Sequence, residues 1–266
     1  MKQRIALLIF LMAAYYTSWA HDSIPSDTTL VMSASSETNF FRPRQLVAPA
    51  LLLGLGAWGL ADDNPIQWIE EHAAGDLNPN GRKCKADEYI QYVPTATHLV
   101  LGFVPGVKAK HNFRDRFIAS ATANALMAGV TNAVKYTVKE RRPDSSKQNS
   151  YFSGHTATAL TGAELMRIEY GWGYGAAAYA VAATSGFLRV YNKRHWVGDV
   201  LTGAGIGILC ADAGYWLLPV WKRCFGIDRR DAARRAKKES KRTFVATPFY
   251  LQTDRAAGLS CSILLD

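Results

Sequence analysis

The chain lacks closely spaced cysteines. Its four, Cys84, Cys210, Cys224 and Cys261, are scattered over 266 residues with no Cys-x-x-Cys step, so zinc ribbons and dithiol redox chemistry have no support. Cys210 lies in an apolar run and reads as a small buried hydrophobe. Glu70-Glu71-His72 is not a His-Glu-x-x-His zinc signature, and Asp62-Asp63 stands in no EF-hand loop; neither a metal nor another cofactor is expected. Aromatic residues are scarce in the one strongly basic stretch, where Phe225 stands alone. Ten Lys/Arg fall between Lys222 and Arg242, and the formal charge of +9 is concentrated there. A surface that stacks bases needs interleaved aromatics, so nucleic acid is excluded as the partner, and a solvated tail drawn to anionic lipid is expected instead. Long apolar runs are scarce too. Leu46–Ala61 falls short of the about 20 residues of a bilayer crossing, and no internal repeat is present.

What is present divides the chain into four parts. Residues 1–20 read as a signal peptide or N-terminal anchor: Lys2 and Arg4 precede the apolar Ile5–Ala14, and Ser18-Trp19-Ala20 forms a small-x-small step before His21. Residues 21–45 form a polar, exported linker. Residues 46–221 carry apolar blocks at Leu46–Ala61, Thr95–Val107, Phe117–Val134, Thr156–Ile168, Gly173–Val190 and Val197–Trp221. These favour Ala, Gly, Leu, Ser and Thr over alternating β-branched residues. The spacing predicts an all-α bundle of about six closely packed helices, with polar positions Asn124, Asn132, Glu164, Arg167 and Asp212 inside the runs. Residues 222–266 form a basic tail that ends in a β-hairpin of Thr243–Tyr250 and Leu259–Leu265 around Thr253-Asp254-Arg255.

Three polar motifs interrupt the apolar blocks. Lys135 precedes Arg142-Pro143. Proline disfavours helical geometry at the residue before it, so Arg142 is expected in extended backbone with Lys135 about two turns back on the helix. A point charge and a planar fork would converge there on one anion. Ser153-Gly154-His155 lies where a polar loop meets a helix. Ser153 is a good N-cap, Gly154 permits close approach, and the first-turn amides suit an anion. Taken alone, a capped helix with a solvent-facing His155 explains this motif equally well. Arg189, His195 and Asp199 form the third. His195 and Asp199 are one helical turn apart, close enough for the carboxylate to hold one ring nitrogen and leave the other nucleophilic. An ordinary i,i+4 pair is the plainer reading. Up-down alternation puts all three motifs at one end of the bundle.

Lys-x6-Arg-Pro, Ser-Gly-His and Arg-x5-His-x3-Asp, in this order, resemble the type 2 phosphatidic-acid phosphatase superfamily, which includes class A acid phosphatases and vanadium haloperoxidases. The motifs run from Lys135 to Asp199, and His195-Trp-Val-Gly-Asp199 is similar to the His-Trp-x-x-Asp form. Two positions depart from the pattern: Phe152 replaces the usual Pro before Ser-Gly-His, loosening that loop, and Leu188 replaces the usual Ser before Arg189. The resemblance implies metal-independent phosphate-monoester hydrolysis. His195 would be the nucleophile, Asp199 its orienting partner and His155 the general acid. The Ser153-Gly154 amide and hydroxyl, with Lys135, Arg142 and Arg189, would bind phosphate. It implies an envelope lipid-phosphate phosphatase, lipid A included, in the inner membrane with a periplasm-facing site. A soluble periplasmic acid phosphatase, a vanadate-dependent haloperoxidase with His195 on vanadate, and a non-catalytic membrane scaffold are the competing expectations.

Overall fold

The computed structural model describes residues 43–59, 66, 78, 83–144, 148–240, 243–251 and 256–264. The expected signal segment and most of the linker lie outside them. So do the Asp62-Asp63 and Glu70-Glu71-His72 positions. Helix α1 is Val47–Trp58, preceded by a 3-10 turn at Pro43–Leu46. Two short helices follow, α2 (Asp87–Ile90) and α3 (Val93–Val100). The main body is α4 (Phe113–Thr137), α5 (Gly154–Tyr170), α6 (Trp172–Tyr191) and α7 (Val197–Trp216), and α8 (Leu218–Cys224) and α9 (Ile227–Ser240) close the helical part. The all-α bundle expected from the sequence is the observed architecture, and each of its six apolar blocks contributes a helix.

Local chemistry sets the helix ends. Asn112 caps α4, its side chain accepting from the Asp115 amide at 2.9 Å, and Ser153 caps α5. Gly171, at φ +86°, ends α5 and lets the chain reverse into α6 within one residue, a left-handed conformation that costs glycine little. The Asp199 carboxylate accepts from the Trp196 amide at 3.0 Å and fixes the first turn of α7.

Helix α5 is the centre of the bundle. Its Ala159, Leu160, Ala163 and Met166 pack with Ala178 and Ala182 of α6 and Ile208 of α7. Leu165 packs with Ala119 and Ala123 of α4 and Ala211 and Tyr215 of α7. Small residues permit this closeness. A Cβ at Gly207 would stand 2.5 Å from the Ala157 carbonyl oxygen, and one at Gly203 2.5 Å from that of Ser153. The consequence for the site is direct, because α7 carries Asp199 against the very turn that begins α5.

Of the polar positions inside the apolar runs, Glu164 and Asp212 are buried, Glu164 pairs with Arg167, and Asn132 is exposed. Arg167 Nε donates to Glu164 at 2.7 Å, and Tyr179 donates to the same carboxylate. Removing one partner of a buried pair costs about 3–5 kcal/mol, so these charges act as fixed pins rather than lipid-exposed liabilities. At the end of the bundle away from Ser153, the Glu169 carboxylate accepts from the His111 amide at 2.6 Å, from His111 Nδ1 at 2.8 Å and from the Tyr215 hydroxyl at 2.8 Å.

The basic C-terminal stretch departs from the solvated tail the composition suggests. Residues 227–240 form α9, and Asp231 ties it to α4 through Arg114, with Nη2–Oδ2 at 2.5 Å. Lys222 reaches both Asp115 and Asp228 at 3.4 Å. Paired carboxylates thus anchor one side of a helix whose Arg229, Arg230 and Arg234 stay exposed. Beyond it, β1 (Thr243–Leu251) pairs antiparallel with β2 (Ala256–Leu264), from Thr243 opposite Leu264 to Leu251 opposite Ala256. The hairpin is as expected apart from its strand bounds: the first strand runs on to Leu251, and the second is Ala256–Leu264, starting three residues before Leu259.

Candidate active site

The three motifs converge at one end of the bundle, on the C-terminal ends of α4 and α6 and the N-terminal ends of α5 and α7. The Ser153 amide donates to the Asp199 carbonyl oxygen at 3.1 Å, which bolts the second motif to the third. Lys135 Nζ lies 3.8 Å from the position of a Cβ on Gly154, so the first motif meets the second at a glycine. Arg142 follows the end of α4 in non-helical backbone, as its proline neighbour demands.

His195 is 2% exposed. Its Nδ1 donates to the Ser150 carbonyl oxygen at 2.8 Å and stands 3.5 Å from Asp199 Oδ2. The expected direct hold by Asp199 is therefore replaced by a relay. Asp199 accepts from the Ser150 hydroxyl and the Trp196 amide, and the Ser150 backbone carries the imidazole. The outcome for reactivity is the one a carboxylate would give: Nδ1 bears the proton and the lone pair sits on Nε2. Burial, with Arg189 and Arg142 nearby, pushes the His195 pKa down despite Asp199, which favours the neutral ring a nucleophile needs.

The charge around His195 is lopsided. Arg142 and Arg189 both act on His195, and Arg189 and Lys135 both act on His155. The Nε of Arg142 and the Nε of Arg189 are buried without a hydrogen-bond partner. Buried donors normally find partners, and an anion between the two guanidinium groups would provide them. Half-buried His155 is pushed down to about 4, by burial first and then by Arg189, with His195 and Lys135 adding to it and Asp87 opposing. Together the groups form a desolvated anion site with one neutral imidazole inside it and a second at its edge.

Residues 116–223 match the family model described as the PAP2 superfamily, a span that contains all three motifs. That region of the chain is similar to PAP2 superfamily domains. The chain is 44% identical over 162 residues to the lipid A 1-phosphatase of Porphyromonas gingivalis, a match that covers 59% of this chain and 34% of the relative. The chain thus spans about a third of that relative's length. Among solved structures it aligns with Aquifex aeolicus LpxE at 20% identity, 54% of this chain, 93% of that one and a TM-score of 0.43. It also aligns with a transmembrane PAP2 type phosphatidylglycerolphosphate phosphatase from Bacillus subtilis at 21% identity, 67% of this chain, 96% of that one and a TM-score of 0.43.

Within the matched region, two sequence-based expectations change. Ser153 is fully buried; its amide is engaged by Asp199, and its hydroxyl oxygen accepts from the Thr156 hydroxyl at 2.9 Å and the Thr156 amide at 3.4 Å. Its amide is therefore a fastener of the loop rather than a phosphate donor. Phe152 does not loosen that loop. It is fully buried with Met127, Ala157 and Cys210, and it anchors the turn in the core where the family pattern has proline. Sequence reasoning also missed Ser150, Asp87 and Asn192. The Asp87 carboxylate accepts from Arg189 Nη1 at 2.5 Å and from Asn192 Nδ2 at 3.2 Å. Asn192 in turn exchanges hydrogen bonds with the Cys84 backbone, both at 2.8 Å. Asp87 stands six positions after Gly81, and no spacing rule links it to Arg189.

Proposed function

We propose that this protein is a metal-independent phosphatase that removes a phosphate monoester from an envelope lipid through a phosphohistidine on His195. The observation that carries the reading is the pair of unpartnered buried guanidinium nitrogens beside an imidazole whose Nδ1 is tied to Ser150. His195 Nε2 attacks phosphorus, and the ester oxygen leaves with a proton from His155. Water then cleaves the N–P bond with His155 as base, releasing inorganic phosphate. Lys135, Arg142 and Arg189 balance the charge of the transferring group, where most of the catalysis of phosphoryl transfer lies. Asp199 positions Ser150, and Gly154 keeps Lys135 close to the α5 amides.

Two features favour a lipid as the leaving group. The relative of known activity is named for removing the 1-phosphate of lipid A. Two helical stretches, Phe113–Thr137 and Val197–Cys224, are long and apolar enough to cross a membrane, and Leu51, Leu55, Trp58, Phe117, Val130 and Phe187 are exposed. Phosphate release from lipid A-type and glycerolipid monophosphates in mixed micelles should exceed release from short-chain alkyl phosphates by about tenfold or more, since remote apolar binding raises kcat/KM. A chelator should leave the rates unchanged. Equal rates on lipid and short-chain esters would sink the lipid assignment, and loss of activity with chelator would sink metal independence.

The proposed orientation puts the site in the periplasm. The exposed Arg229, Arg230 and Arg234 lie at the opposite end of the bundle, and basic segments beside membrane helices stay cytoplasmic. Gln148, exposed in the loop before Ser153, is the better reporter; Asn149 beside it is half-buried. With native cysteines replaced, Gln148→Cys should react with an impermeant thiol reagent in intact spheroplasts, and Arg230→Cys only after lysis. The reverse pattern would place the site in the cytoplasm.

A further inference from the structure

Asp87 lies outside all three motifs, yet it is buried at 3% exposure against Arg189. Arg189 is itself 7% exposed, with Nη1 held by Asp87 and Nε without a partner. A guanidinium is a rigid planar fork, so fixing one nitrogen fixes the direction of the others. Asp87 is in turn fixed by Asn192, whose amide grips the Cys84 backbone on the segment that leads into α2. The negative charge also acts on His155, opposing the cations around it. The charged groups that face His155 are Asp87 from α2, Lys135 from α4, Arg189 from α6 and His195 from the loop before α7. Among these, Asp87 is the one that favours a proton on the ring.

We infer that Asp87 is a positioning residue that aims the Arg189 fork at the phosphate and, through its charge, keeps His155 able to hold the proton it must donate. The two roles separate chemically. An asparagine at 87 keeps a carbonyl acceptor for Arg189 and removes the charge, whereas an alanine removes both. The inference rests on the phosphatase reading for its turnover readouts; phosphate binding tests it independently.

Asp87→Asn should bind inorganic phosphate severalfold more tightly than wild type, because the site loses a negative charge near a dianion. Asp87→Ala should bind it about tenfold more weakly, because the released fork no longer presents its donors. On an alkyl phosphate, Asp87→Asn should lose about tenfold or more in kcat, with its alkaline limb moved down by about one pH unit. A p-nitrophenyl ester, which needs little leaving-group protonation, should be largely spared. Thermal melts in detergent check folding, and the near-isosteric Asn variant keeps the test decisive if the Ala variant fails to fold. Unchanged phosphate affinity in Asp87→Asn overturns the inference, as does loss of activity on both esters with no shift in the pH profile. If wild type hydrolyses no monoester, the phosphatase reading fails while the phosphate-binding contrast still decides for or against Asp87.

Discussion

His195→Ala should lower turnover on any phosphate monoester by about 10⁴–10⁶-fold, the usual loss when a covalent nucleophile is removed. The expectation follows from how completely the ring is prepared. Its Nδ1 proton is committed to Ser150 at 2.8 Å, and burial first, then Arg189 and Arg142, keep the ring neutral by depressing its pKa. Wild-type enzyme quenched in alkaline detergent immediately after mixing should carry labelled phosphate that acid then releases and base does not, the stability of an N–P bond on imidazole. Asp199→Asn should lose far less than His195→Ala, because Asp199 acts through Ser150 and the backbone acceptor of Nδ1 remains. Turnover within a hundredfold of wild type in His195→Ala would remove His195 as nucleophile. Equal losses in the two variants would show that the carboxylate, not the Ser150 carbonyl, governs the ring.

The convergence of the motifs was legible because it depends on helix geometry alone. Apolar blocks of helical character joined by loops must run up and down, so Lys135, Ser153, Arg189 and His195 fall at one end whatever the packing details. Ser150 was not legible. It acts through a backbone carbonyl, which every residue has, and it meets His195 across 45 positions of sequence. Asp87 meets Arg189 across 102, a distance at which one sequence has no periodicity to read. The shortfall at Asp199 has the same origin. One helical turn puts the carboxylate within reach of the imidazole, but its oxygen is already claimed by the Trp196 amide at the start of α7 and by Ser150. Helix α9 was missed for another reason. Its basic run has no apolar stripe, and it is held by charge pairing at Asp231 rather than by a buried face.

His155→Ala should separate substrates by leaving group. On an alkyl or lipid phosphate the departing alkoxide needs a proton, and loss of its donor should cost about 10²–10⁴-fold. On p-nitrophenyl phosphate the cost of losing the acid should be small, although slower hydrolysis of the phosphoenzyme then limits kcat and calls for a pre-steady-state burst measurement. The pH dependence of the wild type carries the same information with a definite sign. In the free site His155 titrates near 4, held down by burial and by Arg189, His195 and Lys135, so at neutral pH it is unprotonated. A bound phosphate dianion adds negative charge beside the ring and pulls its pKa upward. kcat reports the enzyme–substrate complex and kcat/KM the free enzyme. The alkaline limb of kcat on an alkyl phosphate should therefore lie at higher pH than that of kcat/KM, and both limbs should flatten in His155→Ala. Coincident limbs in the wild type, or equal losses on the two classes of ester in the burst phase, would assign the leaving-group proton to some other donor and leave His155 as a lining residue of the anion site.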